Sequence, residues 1–208
     1  TDSTRGGTKV IQSNSSAAEI TRADNIQSFN SDGFTLAGDG TSNYNSTTYA
    51  AWCWKAGNTW QSNIDGTIGS IVNANTANGF SVIKYTGTSA SSQSVGHGLS
   101  STPELVMIKK TSGTEGWIVW YPGASTTNWL ELNSANASDT GANWGGVPTS
   151  TVVHLQDGPS ARSGSDGQDY IAYCFHSVSG YSKIGSYTGT GSTNNTVTVG
   201  FQPDFVMV

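Results

Sequence analysis

Three histidines, His97, His154 and His176, carry the widest chemical repertoire in the chain, and none stands at a metal-ligand spacing such as His-x-Glu or His-Glu-x-x-His. The two cysteines, Cys53 and Cys174, form no Cys-x-x-Cys and no Cys/His cluster, so zinc has no ligand set. Glycoside hydrolysis needs two carboxylates about 5–9.5 Å apart. Glu104, Glu115, Glu131, Asp139, Asp157 and Asp169 could supply such a pair, but most of them sit at strand ends or turns, where solvated acids are ordinary. Serine is abundant near His154 and His176, yet no Gly-x-Ser-x-Gly elbow occurs. The sequence therefore predicts no catalytic residue, no metal and no cofactor.

Two weaker signals concern binding. The loops Asp32-Gly33, Gly38-Asp39-Gly40 and Ser163-Gly164-Ser165-Asp166-Gly167 could offer oxygen ligands to Ca²⁺, but Asp-Gly is also an ordinary hairpin turn, and turns are the favoured reading. Trp60, Trp129 and Trp144 are flanked by polar residues, which makes them the candidates for a glycan-stacking platform. The competing reading is burial, because a core short of aliphatics must use its tryptophans. His97, between Gly96 and Gly98, reads as a packed structural histidine at a close backbone approach.

The elements that must position these residues follow from composition. Of 208 residues, 9 are basic and 14 acidic, for a net charge of -5, which argues against a nucleic-acid partner. Only 11% are charged, 26 are glycine and 10% are aromatic, including seven Trp. Large rings each bury about 150–250 Å², so an ordered core can form without many aliphatics. Such a chain suits many short strands joined by turns. No apolar run approaches the roughly 18 residues of a membrane span, so no membrane insertion is expected.

The chain also repeats itself. Gly79-Phe80-Ser81-Val82-Ile83-Lys84-Tyr85-Thr86-Gly87-Thr88 returns, with one insertion, from Gly180 to Thr190, and Pro103-Glu104-Leu105-Val106-Met107-Ile108 returns as Pro203-Asp204-Phe205-Val206-Met207-Val208. Tyr49-Ala50-Ala51-Trp52-Cys53-Trp54 matches Tyr170-Ile171-Ala172-Tyr173-Cys174-Phe175. Offsets of 101, 100 and 121 residues give a domain-sized period, unlike the 20–50 residues of a solenoid. The expected organisation is the C-terminal part of one β module at 1–57, a linker at 58–78, a complete module at 79–179 and the start of a further module at 180–208. Both termini then fall inside modules, so the segment is expected to need flanking chain or partner copies to be self-sufficient.

Within the module, Val82-Ile83, Leu105–Ile108, Trp117–Tyr121, Trp129–Leu132, Thr151–Leu155 and Tyr170–Phe175 read as strands between Gly/Ser/Asn/Asp/Pro turns. The fold class is all-β, with tandem β-sandwich modules of jelly-roll-like type. Period two puts Tyr173 and Phe175 on one face and Ala172 and Cys174 on the other. Trp52 and Trp54 split from Ala51 and Cys53 in the same way. Both cysteines are expected as buried free thiols, with an intermodule disulfide as the alternative. Ser16–Ile20 is the only helical-looking run and is too short to count.

Several segments, taken together, resemble a β-rich module recurrent in structural proteins of marine tailed phages, cyanophages especially. They are Asp2–Lys9, Gln12–Ser15, Ser28–Leu36, Ala51–Gly57, Val95–Leu99 and Tyr170–Phe175 continuing through Gly180–Gly189. The resemblance spans nearly the whole chain and follows the family's motif order. One departure is Trp120-Tyr121-Pro122, where relatives tend to have a Tyr-His pair. The resemblance implies concanavalin-like β-sandwich modules and a virion protein, made in the host cytoplasm, of a tail fibre or similar appendage. It carries no catalytic residues. On this reading the chain is not an enzyme. It spaces or presents host-contacting surfaces, and its partners are other copies of itself in a homo-oligomer such as a trimer, together with other virion proteins. Two alternatives stand beside it: a lectin-like module that binds host surface glycans, and a capsid-decorating or head-fibre protein.

Overall fold

In the computed structural model, which describes residues 1–38, 41–141, 143–156, 158 and 161–208, the β-branched and aromatic runs become strands and no described residue is helical. Two small ribbons come first: β1 (Lys9–Val10) pairs with β2 (Ile20–Thr21), and β3 (Ile26–Phe29) with β4 (Phe34–Leu36). There follow β5 (Gln61–Asn63), β6 (Ser70–Asn75), β7 (Phe80–Thr86), β8 (Ser94–Gly96) and β9 (Leu105–Lys110). The last five are β10 (Ile118–Trp120), β11 (Asn128–Glu131), β12 (Asp139–Thr140), β13 (Val152–His154) and β14 (Asp169–Phe175).

One large antiparallel sheet runs β11-β10-β9-β14-β7-β6-β5, with the two-residue β12 added at its β11 edge. Its centre is β14, which pairs along its whole length with β7, from Asp169↔Thr86 to Phe175↔Phe80, and along most of it with β9, from Tyr170↔Lys110 to Phe175↔Leu105. A strand paired on both sides has every backbone group satisfied, so its side chains can be wholly apolar on both faces.

The two faces of the sheet bury different cores, as the period-two reading of β14 requires. Ile83, Tyr85, Val106, Ile108, Ile118, Trp120, Tyr170, Ala172 and Cys174 point to the larger core. There the β8–β13 ribbon supplies Val95 and Val153, and the loops supply Leu99, Trp144 and Leu155. Tyr85 stacks on Tyr170 with centroids 5.2 Å apart, and Trp120 meets Trp144 edge to face at 5.6 Å. Ring pairs of this kind add about 0.5–1.5 kcal/mol beyond area burial, which is how few aliphatics suffice. Phe80, Val82, Trp117 and Ile171 point to the other face, against Ile11 and the partly buried Ala56, Trp60, Met107, Tyr173 and Phe175.

Each of the six strand readings inside 79–179 corresponds to an observed strand, and Tyr173/Phe175 and Ala172/Cys174 fall on opposite faces. Three expectations outside that span are corrected. Residues 58–78, expected as a linker, contain β5 and β6, and β6 is an interior strand because its register with β7, Ser70↔Tyr85 to Asn75↔Phe80, completes the ladder that β7 offers on the side away from β14. Residues 2–19, expected to belong to a preceding module, lie on the main sheet, where the Trp117 indole N–H donates to the Gln12 carbonyl at 2.8 Å. Tyr49–Trp54 matches β14 in sequence but forms no strand, since no strand flanks it on either side, and Cys53 is accordingly an exposed free thiol while Cys174 is a buried one.

Candidate functional site

Among the described residues no group of three His, Cys, Asp or Glu side chains is placed to hold a metal ion. Of the carboxylates considered for catalysis, the structure brings two together. Glu131 ends β11 and Glu115 precedes β10; Arg162, in the segment leading to β14, lies between them. Its Nε donates to Glu115 Oε1 at 2.7 Å and its Nη2 to Glu131 Oε1 at 2.5 Å, while the guanidinium carbon sits 4.3 Å over the Trp129 ring. Burial pulls the Arg162 pKa down, but the hydrogen bonds and charges of both glutamates outweigh it and raise it. A Cβ at Gly116 would come within 2.5 Å of Glu131 Oε1, so a glycine there leaves room for the carboxylate. Chemically this is an ion triad on an aromatic floor, in which a permanent cation occupies the space between the two acids. Glu104 is elsewhere, accepting from the Ser177 N–H at 2.5 Å, and Asp169 Oδ1 accepts from the Thr86 hydroxyl at 2.7 Å. Asp157 and the Asp139 side chain lie outside the described residues.

A second ionic cluster ties the N-terminal segment to β14. Asp2 Oδ1 accepts from the Thr4 and Arg5 backbone N–H groups, both at 3.1 Å, and Oδ2 accepts from Arg5 Nε and from the Tyr173 hydroxyl, both at 2.7 Å. Arg5 Nη1 continues to Glu19 Oε2 at 2.8 Å. Burial alone would push the Asp2 carboxyl up, but the Arg5 charge and the hydrogen bonds hold it below the usual carboxylate range. Tyr173 is pushed up, first by burial and then by the Asp2 charge. Every carboxylate oxygen of Asp2 is taken by the protein itself, so this cluster works as a clasp.

His97 is fully buried on the larger core's side; its Nδ1 accepts from the Leu99 N–H at 3.1 Å, which makes Nε2 the donor to the Thr149 carbonyl at 3.2 Å. Both ring nitrogens are used and burial pushes its pKa down, in agreement with the structural reading. Gly98 beside it has φ +68, and a Cβ there would meet Val72 Cγ1 at 2.8 Å. His176 Nδ1 lies 2.8 Å from the Ser177 carbonyl. Lys109 is fully buried, its Nζ 2.8 Å from the Lys110 carbonyl and 3.4 Å from that of Ser16, and burial, partly opposed by Glu115, lowers its pKa to about 8.

The Ca²⁺ candidates resolve as turns and internal bracing. Asp32-Gly33 closes the β3–β4 hairpin, where the Asn30 N–H donates to the Gly33 carbonyl at 2.8 Å. Ser163 Oγ donates to the Asn143 carbonyl at 3.2 Å and Ser165 Oγ to that of Ala161 at 2.5 Å, both in the core. Asp39 and Gly40 lie outside the described residues.

The glycan platform is corrected. Trp129 and Trp144 are 4% and 2% exposed and Trp60 is partly buried on the second core, so two of the three have no free ring face for a sugar. The exposed indoles are Trp52 and Trp54, at 69% and 53%, which the period-two reading placed in a packed strand. A cleft of about 250 Å³ at the β5–β6 edge is lined by polar residues such as Asn58, Thr59 and Asn63 together with Val72 and Ala74. Among the described residues, no aromatic or acidic side chain lines it.

No helix of the described chain is long and apolar enough to cross a membrane. Neither a curated protein nor a solved structure matches the chain. One family model does, over residues 1–208, and the chain belongs to that family, described as a domain of unknown function, DUF7483.

Proposed function

We propose that this chain is a structural part of a phage virion appendage, a tail fibre or similar, built of tandem β-sandwich modules of concanavalin-like type. It spaces or presents host-contacting surfaces without catalysing a reaction. It assembles as a homo-oligomer. The observation that carries the reading is a β unit whose larger core is drawn entirely from residues 68–174 while copies of its own strand motifs stand on both sides of it. A unit that closes its own core can be strung head to tail, because each added unit needs only local contacts to fold. The resemblance of the motif order to marine phage structural modules points the same way. So does the low charge, which suits surfaces that repeat along a fibre.

An antibody raised against residues 79–179 tests the placement on purified particles of a phage that encodes this chain. Label on a tail appendage is the expected result; label on the head would favour the capsid-decorating alternative, and no label on particles would overturn the virion reading. The non-enzymatic part has its own test. Hydrolysis of a host polysaccharide by the purified chain, lost in Glu131→Gln, would overturn it.

A further inference from the structure

Exposed large apolar side chains are not scattered evenly over this protein. Tyr49, Trp52 and Trp54 fall in the copy of β14, Tyr181 and Tyr187 in the copy of β7, and Phe205, Val206, Met207 and Val208 in the copy of β9. Those three parent strands are mutual neighbours, with β14 in the middle. Most of their residues are buried: Cys174 and Val106 are 0% exposed, whereas their counterpart Cys53 is exposed and Val206 is 66% exposed. Large apolar side chains exposed in such numbers within a few short segments mark surfaces that another segment covers.

The register of the parent strands transposes onto the copies. Cys174 stands opposite Val106 on one side and Ser81 on the other, which places Cys53 opposite Val206 and Ser182. Phe175 stands opposite Leu105 and Phe80, which places Trp54 opposite Phe205 and Tyr181. The stacked Tyr85–Tyr170 pair becomes Tyr187 and Tyr49, with the inserted Gly185 taken up as a bulge in the β7 copy. Gly79 and Gly180, which begin the parent and the copy, share a left-handed conformation at φ +67 and +72.

Two of the copies already meet in the structure. Trp52 meets Phe205 with centroids 6.2 Å apart, a diagonal contact in the transposed register, where Trp52 faces Met207. Trp54 meets Phe175 at 6.0 Å and Phe175 stacks on Phe80 at 4.7 Å, so an aromatic row leads from the main sheet to the copied segments. We propose that Tyr49–Trp54, Gly180–Thr190 and Pro203–Val208 pair with one another, within one chain, as a second antiparallel sheet in which Tyr49–Trp54 is the central strand. The occupant of each exposed segment is thus another segment of the same molecule. Proximity favours this over a second copy, since the segments are tethered in one chain and Trp52 already meets Phe205. The inference rests on the repeats and the ring contacts alone and stands apart from the virion reading.

The test uses the full chain carrying Val206→Cys, with native Cys53 as its partner and buried Cys174 as a spectator. After mild oxidation of dilute protein, intact mass and non-reducing electrophoresis are expected to show a monomer in which most molecules carry a disulfide between Cys53 and the thiol introduced at position 206. The same treatment of Val197→Cys, exposed but outside the copies, is expected to give none. No link in the Val206→Cys chain, or a link formed only between chains, would overturn the proposal. Hydrogen exchange on the unaltered chain covers the case in which the variant does not fold. Amides of 50–54 and 204–207 are expected to exchange at least 100-fold more slowly than those of loop 41–48, and exchange at the loop rate sinks the proposal.

Discussion

The Tyr173 hydroxyl donates to Asp2 Oδ2 at 2.7 Å across 171 positions of sequence, joining the first turn of the chain to the central strand of its main sheet. With Arg5 between Asp2 and Glu19, this contact fixes residues 2–19 as the cover of one sheet face.

Removing one member should therefore release that cover. Tyr173→Phe leaves an Asp2 lone pair unmet and is expected to cost about 1–2 kcal/mol, and Asp2→Ala, which leaves the buried Arg5 with Glu19 as its one remaining carboxylate, about 3 kcal/mol. Urea unfolding measures both, and hydrogen exchange at residues 3–20 should rise in each. Because the Asp2 carboxyl is held low when folded, its contribution is complete above pH 3.8 and is lost as pH falls below that value through its folded pKa. Asp2→Asn should flatten that part of the acid limb.

Arg162 is the charge balance for two acids, so Arg162→Met should leave Glu115 and Glu131 facing each other over a bare Trp129. These side chains are each about a fifth exposed, and solvent screening holds the expected loss to about 1 kcal/mol. Arg162→Lys keeps the charge but not the two-pronged geometry and should recover only part of it. Repeating the urea titration in 0.5 M NaCl should shrink both losses; an unchanged gap would mean that packing on Trp129, rather than charge, is what the arginine supplies.

What the sequence made legible was the face each strand residue takes once neighbours exist. Alternation in Tyr170–Phe175 sorted its side chains correctly because β7 and β9 flank it. The same alternation in Tyr49–Trp54 gave the wrong burial for Cys53, since a pattern states which faces differ and not whether anything covers them. β6 was hidden for the converse reason: Asn73, Ala74 and Asn75 are poor strand formers, and pairing with β7 overrides their propensity. The Arg162 triad draws on positions 47 and 31 residues away, a juxtaposition that no local spacing announces.

Gly98 should tolerate no side chain. Gly98→Ala must hold an L residue at φ +68 and drive a methyl against Val72, and a cost of about 2–3 kcal/mol is expected in thermal or urea unfolding. Gly167→Ala, at φ +66 with open space around its Cβ position, isolates the backbone part and should cost only about 1 kcal/mol. Equal losses at the two sites would show that the contact with Val72 is not felt.

Lys109 and Cys174 should shape the alkaline limb in opposite directions. Burial lowers the lysine from 10.5 to about 8, so between those values the unfolded chain holds a proton that the folded chain has released, and stability rises with pH. Burial pushes the Cys174 thiol from 9.0 up to about 12, so above pH 9 the folded chain keeps a proton that the unfolded one loses, and stability falls. The wild-type chain is thus expected to gain stability from about pH 8 to 9 and to level off or decline beyond. Lys109→Met removes a buried cation that meets only backbone carbonyls, and at pH 7.5 it should be more stable than the wild type by on the order of 1–3 kcal/mol. That advantage should shrink steadily as pH approaches 10.5, because the wild-type lysine by then is neutral in the folded state. Urea midpoints taken at half-unit steps from pH 7.5 to 10.5 measure it, and a difference between the two chains that stays constant over this range would show that Lys109 keeps its proton in the folded protein.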